Sequence, residues 1–143
     1  MSISHPLRRR FLVFLVVLAT ALTALAGPAA QTALAGDRAR MLRLVNDDRK
    51  DANRHALDLS RKLSRRAAHN SRRMADAGEL MHSRRLRGGM TENVGMGPTL
   101  PIIERAFMRS DPHRRNILDP DAKRMGVGVV KQGGTFWVTL IFV

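Results

Sequence analysis

The spacing of apolar side chains along the chain predicts helices in its first half. From Asp37 to Asn53, apolar residues recur at the three- and four-residue intervals of a helix. The residues expected to face the core are Met41, Leu42, Val45 and Ala52. The charged residues expected to face solvent are Asp47, Asp48, Arg49 and Lys50.

A second helix is predicted from Ser60 to Ala77, after a connecting stretch, "HALDL". Ser60 is a suitable N-cap, and Gly78 is a suitable C-terminal stop because glycine readily adopts the left-handed conformation. The residues expected to face inward are Leu59, Leu63, Ala67, Met74 and Ala75. A basic outer face is expected from Arg61, Lys62, Arg65, Arg66, Arg72 and Arg73.

The stretch from Glu79 to Thr99 contains several glycines and a proline, which indicates irregular structure. A third helix is predicted from Thr99 to Arg109, with Thr99 as its N-cap. The residues expected to face inward there are Ile102, Ile103, Ala106 and Phe107.

A short fourth helix is predicted to follow, with Asp111 as its N-cap and Pro112 at its first position. This places His113 in the first helical turn, at the positive end of the helix dipole. Protonation is costly there, so the neutral imidazole is favoured.

The chain closes with two predicted strands, "RMGVGVVKQ" and "TFWVTLIFV", joined by a turn at Gly133–Gly134. The second strand is apolar at nearly every position, which is typical of a strand covered on both faces. Helices are the available cover. The sequence therefore predicts an α+β fold, a three-layer α-β-α sandwich.

The first 35 residues are interpreted as a signal peptide, because Arg8–Arg10 precede an apolar run from Phe11 to Leu25. Two small-x-small cleavage sites follow, and the second, Ala33-Leu34-Ala35, is favoured. An uncleaved N-terminal anchor is the alternative. The remainder, residues 37–143, is predicted to form one secreted or envelope-associated domain.

Composition narrows the classes of function. The chain has no cysteine, which excludes disulfides and a thiol nucleophile. Its formal charge is +13, and residues 1–36 hold three arginines and no acid, so residues 37–143 carry +10. This charge favours contact with anionic envelope polymers or membrane surfaces, although a merely soluble basic surface is the simpler interpretation. The few aromatic residues leave no platform for stacking bases, so specific nucleic-acid binding is not expected.

Three residues could carry chemistry. His82 and His113 lie at breaks in regular structure, and Glu92 lies in "TENVGMG", ahead of two glycines. Two imidazoles and a carboxylate can bind zinc or a similar divalent ion, or act as base and orienter on a bound water. Their spacing matches no common metal motif, and two unrelated histidines with a loop glutamate remain the alternative. His55 and His69 are expected to be solvated.

Four further stretches carry a family resemblance: "MADAGELMHS", "ENVGMGP", "AFMRSDPHRRNIL" and "MGVGVV…GGTFWVTLIF". They resemble, in order, the signatures of the CAP superfamily (cysteine-rich secretory proteins, antigen 5 and pathogenesis-related proteins) in its compact bacterial form. "MLRLVNDDR" is similar to the opening helix of that family. The resemblance spans Met41 to Val143. It implies an α-β-α sandwich in which His82, Glu92 and His113 converge in one cleft that can take zinc or another divalent ion.

The sequence also departs from the family pattern. Members often have a second glutamate in the cleft, but Ser110 lies nearest that place here, and Glu104 lies one turn earlier and is not a substitute. Pro112, Phe107 and Thr91 replace a glycine, a tryptophan and a glycine, respectively. The resemblance therefore implies a three-member version of the site.

The resemblance implies a secreted binding module that holds a small lipid, a protein partner or a divalent metal. The alternative is a metal- or histidine/glutamate-assisted hydrolase of peptide or cell-wall material, with His113 and Glu92 as its working residues. No serine or cysteine lies in a nucleophile motif, so water would have to attack. Binding is the favoured prediction, and no catalytic residue is assigned.

Overall fold

The computed structural model describes residues 28–86 and 88–143. Within these two ranges, four helices and four strands follow one another in the order α1, β1, α2, β2, α3, α4, β3, β4. Their bounds are α1 Pro28–Asp51, β1 Asp58–Leu59, α2 Arg61–Ala77, β2 Thr91–Gly97, α3 Leu100–Arg109, α4 Asp111–Leu118, β3 Arg124–Gln132 and β4 Thr135–Phe142.

The four strands form one sheet in the order β1-β3-β4-β2. The β3–β4 hairpin is antiparallel and turns at Gly133 and Gly134, whose φ angles of 56° and 80° few other residues adopt. β2 pairs antiparallel with β4 along its full length and forms one edge of the sheet, whereas the two-residue β1 pairs parallel with β3 at the other edge. The predicted hairpin is confirmed.

Both faces of the sheet are covered, as the apolar last strand predicts. Val138, Leu140 and Phe142 of β4 pack into the larger core, which α1, α3 and α4 cover. Trp137 and Ile141, which point to the other face, pack under α2. The α-β-α sandwich is therefore confirmed, and α2 covers one of its faces together with Met81, Leu86 and Met90 of the segment that follows it.

Two glycines of β3 let α2 lie close to the sheet. A Cβ atom at Gly126 would overlap the backbone of Leu63, and one at Gly128 would overlap the backbone of Ala67. Any larger residue at either position would push the helix outward, so the "MGVGVV" pattern sets the distance between α2 and the sheet.

Two serines of α2 join the helix to β3 by hydrogen bonds. Ser64 Oγ accepts from the backbone N–H of Val127 at 3.1 Å, and Ser71 Oγ donates to the carbonyl of Gly128 at 3.1 Å. Because β1 pairs with only the first two residues of β3, the N–H of Val127 lies beyond the end of the partner strand. Ser64 supplies the acceptor that this buried amide needs.

Arg49 joins α1 to the segments around α4. Its guanidinium donates to the carbonyls of His55 at 2.7 Å, Ile117 at 2.7 Å, Asp119 at 2.9 Å and Ala122 at 3.3 Å. The side chain is fully buried, and this burial lowers the pKa of Arg49, while the Asp119 carboxylate acts in the opposite direction. One side chain thus joins the α1–β1 connection, the last turn of α4 and the α4–β3 connection.

The local end signals of α2 and α3 are confirmed. The Ser60 and Thr99 side chains accept from the backbone N–H groups of Leu63 and Ile102, and Gly78 ends α2 in the left-handed conformation. These ends are set by short-range hydrogen bonds, which a sequence pattern can anticipate.

Three predicted boundaries were wrong. The stretch interpreted as irregular contains β2, because Gly95 and Gly97 lie in an extended strand and not in turns. α1 begins at Pro28 and not at Asp37, since the alanine-rich stretch before Asp37 favours a helix without an apolar face. β1 lies within the "HALDL" connection.

Several predicted orientations were also wrong. Arg49 was expected to face solvent and is buried; Leu59 was expected to be buried and is 41% exposed. On α3, Ile102 and Ala106 face solvent, while Ile103 and Phe107 are buried. The residues of α2 expected to face outward include two that are only half exposed, Arg66 and Arg73. At α4 the N-cap position belongs to Ser110, and Asp111 is the first helical residue.

The predicted signal peptide or anchor lies mostly in residues 1–27, outside the described residues, and stays a prediction. Among residues 28–86 and 88–143, no helix has the length and apolar content needed to cross a membrane.

Candidate functional site

His82 and Glu92 meet directly. His82 Nδ1 lies 2.8 Å from Glu92 Oε1, and Ser83 adds two hydrogen bonds to the same carboxylate: its backbone N–H to Oε1 at 2.8 Å and its hydroxyl to Oε2 at 2.5 Å. A carboxylate only accepts, so Nδ1 carries the proton of this contact and Nε2 is the other ring nitrogen. The imidazole is thus oriented by its partner.

The pair joins a buried group to an exposed one. The Glu92 side chain is 1% exposed, whereas the His82 side chain is 61% exposed. Glu92 is opposite Ile141 of β4, and directly opposed residues share a face, so the carboxylate lies on the α2 face of the sheet. Buried Glu92 therefore holds an imidazole that solvent can reach.

His113 lies in the first turn of α4, as predicted, and its ring packs against Phe107 with centroids 5.2 Å apart and planes at 54°. Burial lowers the pKa of His113, and the neighbouring His82 lowers it further. The predicted preference for neutral imidazole is confirmed in direction, with burial as the main cause.

Two asparagines hold the start of α4 against β2. Asn93, fully buried, donates from Nδ2 to the carbonyl of His113 at 3.0 Å, and Asn116 donates from Nδ2 to Asn93 Oδ1 at 2.8 Å. Because Asn93 follows Glu92 on an extended strand, the two side chains point to opposite faces. Glu92 therefore holds His82 on one face of β2, and Asn93 holds the backbone of His113 on the other face, at the free edge of the sheet.

The hydrogen bond between His82 and Glu92 is one feature that metal-binding histidines share. A histidine that binds a metal through one ring nitrogen usually donates its other N–H to a carboxylate, which is the geometry of His82 with Glu92. The structure does not gather a complete set: among the described residues, no three His, Asp or Glu side chains are grouped as ligands for one ion. Two imidazoles would leave other positions to water or to a bound molecule.

The acidic residue nearest in sequence to the missing second glutamate lies elsewhere. Glu104 is buried between α3 and α1, where it faces Asp48. Burial and the hydrogen bond with Asp48 raise the pKa of Glu104 to about 8. Ser110, at the expected place, is the N-cap position of α4.

The sequence pattern singled out His82, Glu92 and His113 but not the residues that hold them. Ser83 and Asn93 are each adjacent to a predicted site residue, and a polar residue beside a candidate ligand was the available signal. Their roles depend on which strand face and which helix end they meet, which only the sheet register decides.

The chain is similar in fold to several solved structures. An outer surface protein from Borrelia burgdorferi matches with a TM-score of 0.67 at 15% identity, over 75% of this chain and 91% of that one. An extracellular protein containing an SCP domain from Bacillus anthracis matches with a TM-score of 0.68 at 19% identity, over 82% of this chain and 43% of that one. NaASP2, solved with Zn²⁺, matches with a TM-score of 0.61 at 13% identity, over 74% of this chain and 78% of that one.

At these identities the structures show a shared fold only. No curated protein matches the sequence significantly. The model of the cysteine-rich secretory protein family, CAP, matches residues 42–142, which is most of the chain and includes His82, Glu92 and His113. The chain therefore belongs to the cysteine-rich secretory protein (CAP) family.

Proposed function

We propose that this chain is a secreted CAP-domain binding module that uses His82 and His113 at the edge of β2 to hold a ligand or a divalent ion. The observation that carries the proposal is the fixed orientation of His82: buried Glu92 holds Nδ1, and the rest of the imidazole faces solvent. The description of two structural neighbours as outer-surface and extracellular proteins supports the location.

For a divalent ion such as zinc, the two histidines are the proposed ligands and Glu92 acts through His82. An ion bound there would supply Lewis acidity and a fixed positive charge to whatever molecule completes its coordination. The chain contributes a preoriented imidazole at His82 and, at His113, an imidazole whose lowered pKa keeps it neutral at lower pH than usual. A neutral imidazole is the form that binds metals.

The hydrolase hypothesis, with His113 and Glu92 as working residues, gains less support from the geometry. Both carboxylate oxygens of Glu92 already accept hydrogen bonds, from His82 and Ser83. A general base needs a lone pair directed at the water that it activates. Glu92 therefore serves better as an orienting residue than as a base.

Zinc binding by calorimetry tests the proposal. Wild-type protein is expected to bind about one ion per chain, and the double variant His82→Ala/His113→Ala is expected to lose that binding. His55→Ala is the matched control, because the exposed His55 side chain lies in the connection after α1. Equal zinc binding by the double variant would refute the metal part of the proposal.

Two further measurements test the cleavage of the signal peptide and the absence of hydrolase activity. N-terminal sequencing of exported protein is expected to begin at Gly36, and export with the first 35 residues intact would support the anchor instead. A peptide and cell-wall fragment library is expected to stay uncleaved. Cleavage that His113→Ala abolishes without unfolding the protein would replace the binding module with the hydrolase.

A further inference from the structure

Beside the His82–Glu92 pair lies a basic pocket. A cavity of about 310 Å³ opens between α2 and the segment that follows His82. Its residues on α2 recur at helical spacing and so form one stripe of the helix surface. The lining is Arg66, His69, Asn70, Arg73, Ser83, Arg84 and Arg85.

The charge of this pocket is uncompensated. Four arginines and a histidine line it, and no acidic residue does. Over residues 28–86 and 88–143, no arginine or lysine side chain lies within ion-pair distance of a carboxylate. A larger cavity beside α4 provides the contrast, since its arginines share the lining with Asp111 and Asp119.

Both walls of the pocket are held in place by buried polar groups. Arg73 donates from Nη1 to Asn70 Oδ1 at 2.9 Å and from Nη2 to Met81 Sδ at 2.9 Å. Asn70, 1% exposed, donates in turn to the Met81 carbonyl at 2.9 Å, which ties the loop to α2. On the other wall, Ser83 is fixed by its two bonds to Glu92. Two protein contacts therefore orient the Arg73 guanidinium before any ligand arrives.

We infer that this pocket is a binding site for a phosphate group, carried by a lipid headgroup or by a soluble phosphate ester. The planar guanidinium fork matches the geometry of phosphate oxygens, and an oriented fork loses little entropy on binding. The volume exceeds that of one phosphate and admits the group that bears it. The lining has no Phe, Tyr or Trp side chain on which a base could stack. This inference does not depend on metal binding by His82 and His113.

The test uses variants of equal charge loss. Arg84→Gln/Arg85→Gln removes two exposed arginines of the pocket, and Arg114→Gln/Arg115→Gln removes two exposed arginines of α4. The probes are glycerol 3-phosphate in calorimetry and sedimentation with phosphatidylcholine vesicles, with and without phosphatidic acid. The pocket variant is expected to bind about tenfold or more weakly than wild type, and the α4 variant to bind within about threefold of it.

The two probes distinguish a soluble phosphate ester from a lipid headgroup. Binding of both probes means that the phosphate group suffices, and binding of the vesicles alone means that the lipid headgroup is required. Arg73→Lys tests the inner wall, and it is expected to weaken binding while thermal melting confirms the fold. Equal losses in the two double variants would mean general attraction by the net charge and would overturn the inference, as would no binding of either probe by wild type.

Discussion

Replacing Arg49 tests whether one buried side chain holds the connections around α4. Its guanidinium bonds to the carbonyls of His55, Ile117, Asp119 and Ala122, all within 3.3 Å. In Arg49→Ala these acceptors lose their donors and a cavity replaces the side chain. Each buried polar group left without a partner lowers the free energy of unfolding by about 1–3 kcal/mol. Removing the buried charge of Arg49 acts in the opposite direction, because that charge no longer has to be dehydrated on folding.

We therefore expect Arg49→Ala to lower the free energy of unfolding by about 3–5 kcal/mol, a large part of the total of about 5–15 kcal/mol usual for a domain. Arg49→Lys is expected to recover only part of the loss, because an ammonium is a compact charge that cannot span four separated acceptors. Urea denaturation followed by fluorescence of Trp137, the only tryptophan in the chain and 5% exposed, measures both.

Arg54→Ala is the matched control, because Arg54 is exposed and makes one bond, to the Leu118 carbonyl at 3.2 Å. Its loss is expected to cost less than about 1 kcal/mol. If Arg49→Ala destabilises the protein no more than Arg54→Ala does, the guanidinium does not carry the energetic role assigned to it here.

Three other perturbations test separate parts of the structure. The pKa of Glu104 is about 8 in the folded protein and about 4.5 in the unfolded chain, so the melting temperature should fall as pH rises from about 4.5 towards 8. Glu104→Gln is neutral beside Asp48 at every pH, so it should flatten this decline in thermal melts. Gly128→Ala should destabilise the protein by about 2 kcal/mol or more in urea denaturation, because its methyl group meets the α2 backbone; an unchanged midpoint would refute the close approach. An NMR titration should give His113 a pKa below the ordinary histidine value, and His82→Ala should raise that pKa part of the way back. No rise would contradict the electrostatic interaction between the two histidines.

The features that sequence reasoning predicted are local ones. The ends of α2 and the hairpin turn depend on contacts within a few residues, from Ser60 to Leu63 and across Gly133–Gly134. The apolar last strand predicted cover on both faces, since a strand of that composition is stable only when both faces are buried. A sequence pattern can predict these features because the residues that determine them lie within the same short segment of the chain.

β2 shows why other features were missed. Gly95 and Gly97 resemble turn residues, yet Gly95 is extended, and a Cβ atom there would lie 2.8 Å from the Phe107 ring. The glycine is required by the approach of α3, which follows β2 in the chain and packs back onto it. No pattern within "TENVGMG" distinguishes a glycine needed for a turn from one needed for close packing.

The candidate site, too, has features that the sequence predicts and features that depend on the tertiary structure. The residue types and their places at breaks in predicted structure singled out His82, Glu92 and His113 from the sequence alone. The tertiary structure decided that Ser83 shares the carboxylate of Glu92 and that His113 lies on the other side of the β2 edge.

The sequence by itself determined the order of layers, the ends of α2, the hairpin and the basic character of the protein, because these depend on composition and on neighbours in the chain. The direction of each buried polar side chain was decided only by tertiary structure. Arg49 is the plainest case: helical periodicity assigns it to solvent, and its burial depends on carbonyls as far as 73 residues away that the folded chain brings to it. A polar side chain is stable inside only where partners converge, and that convergence is a property of the whole fold.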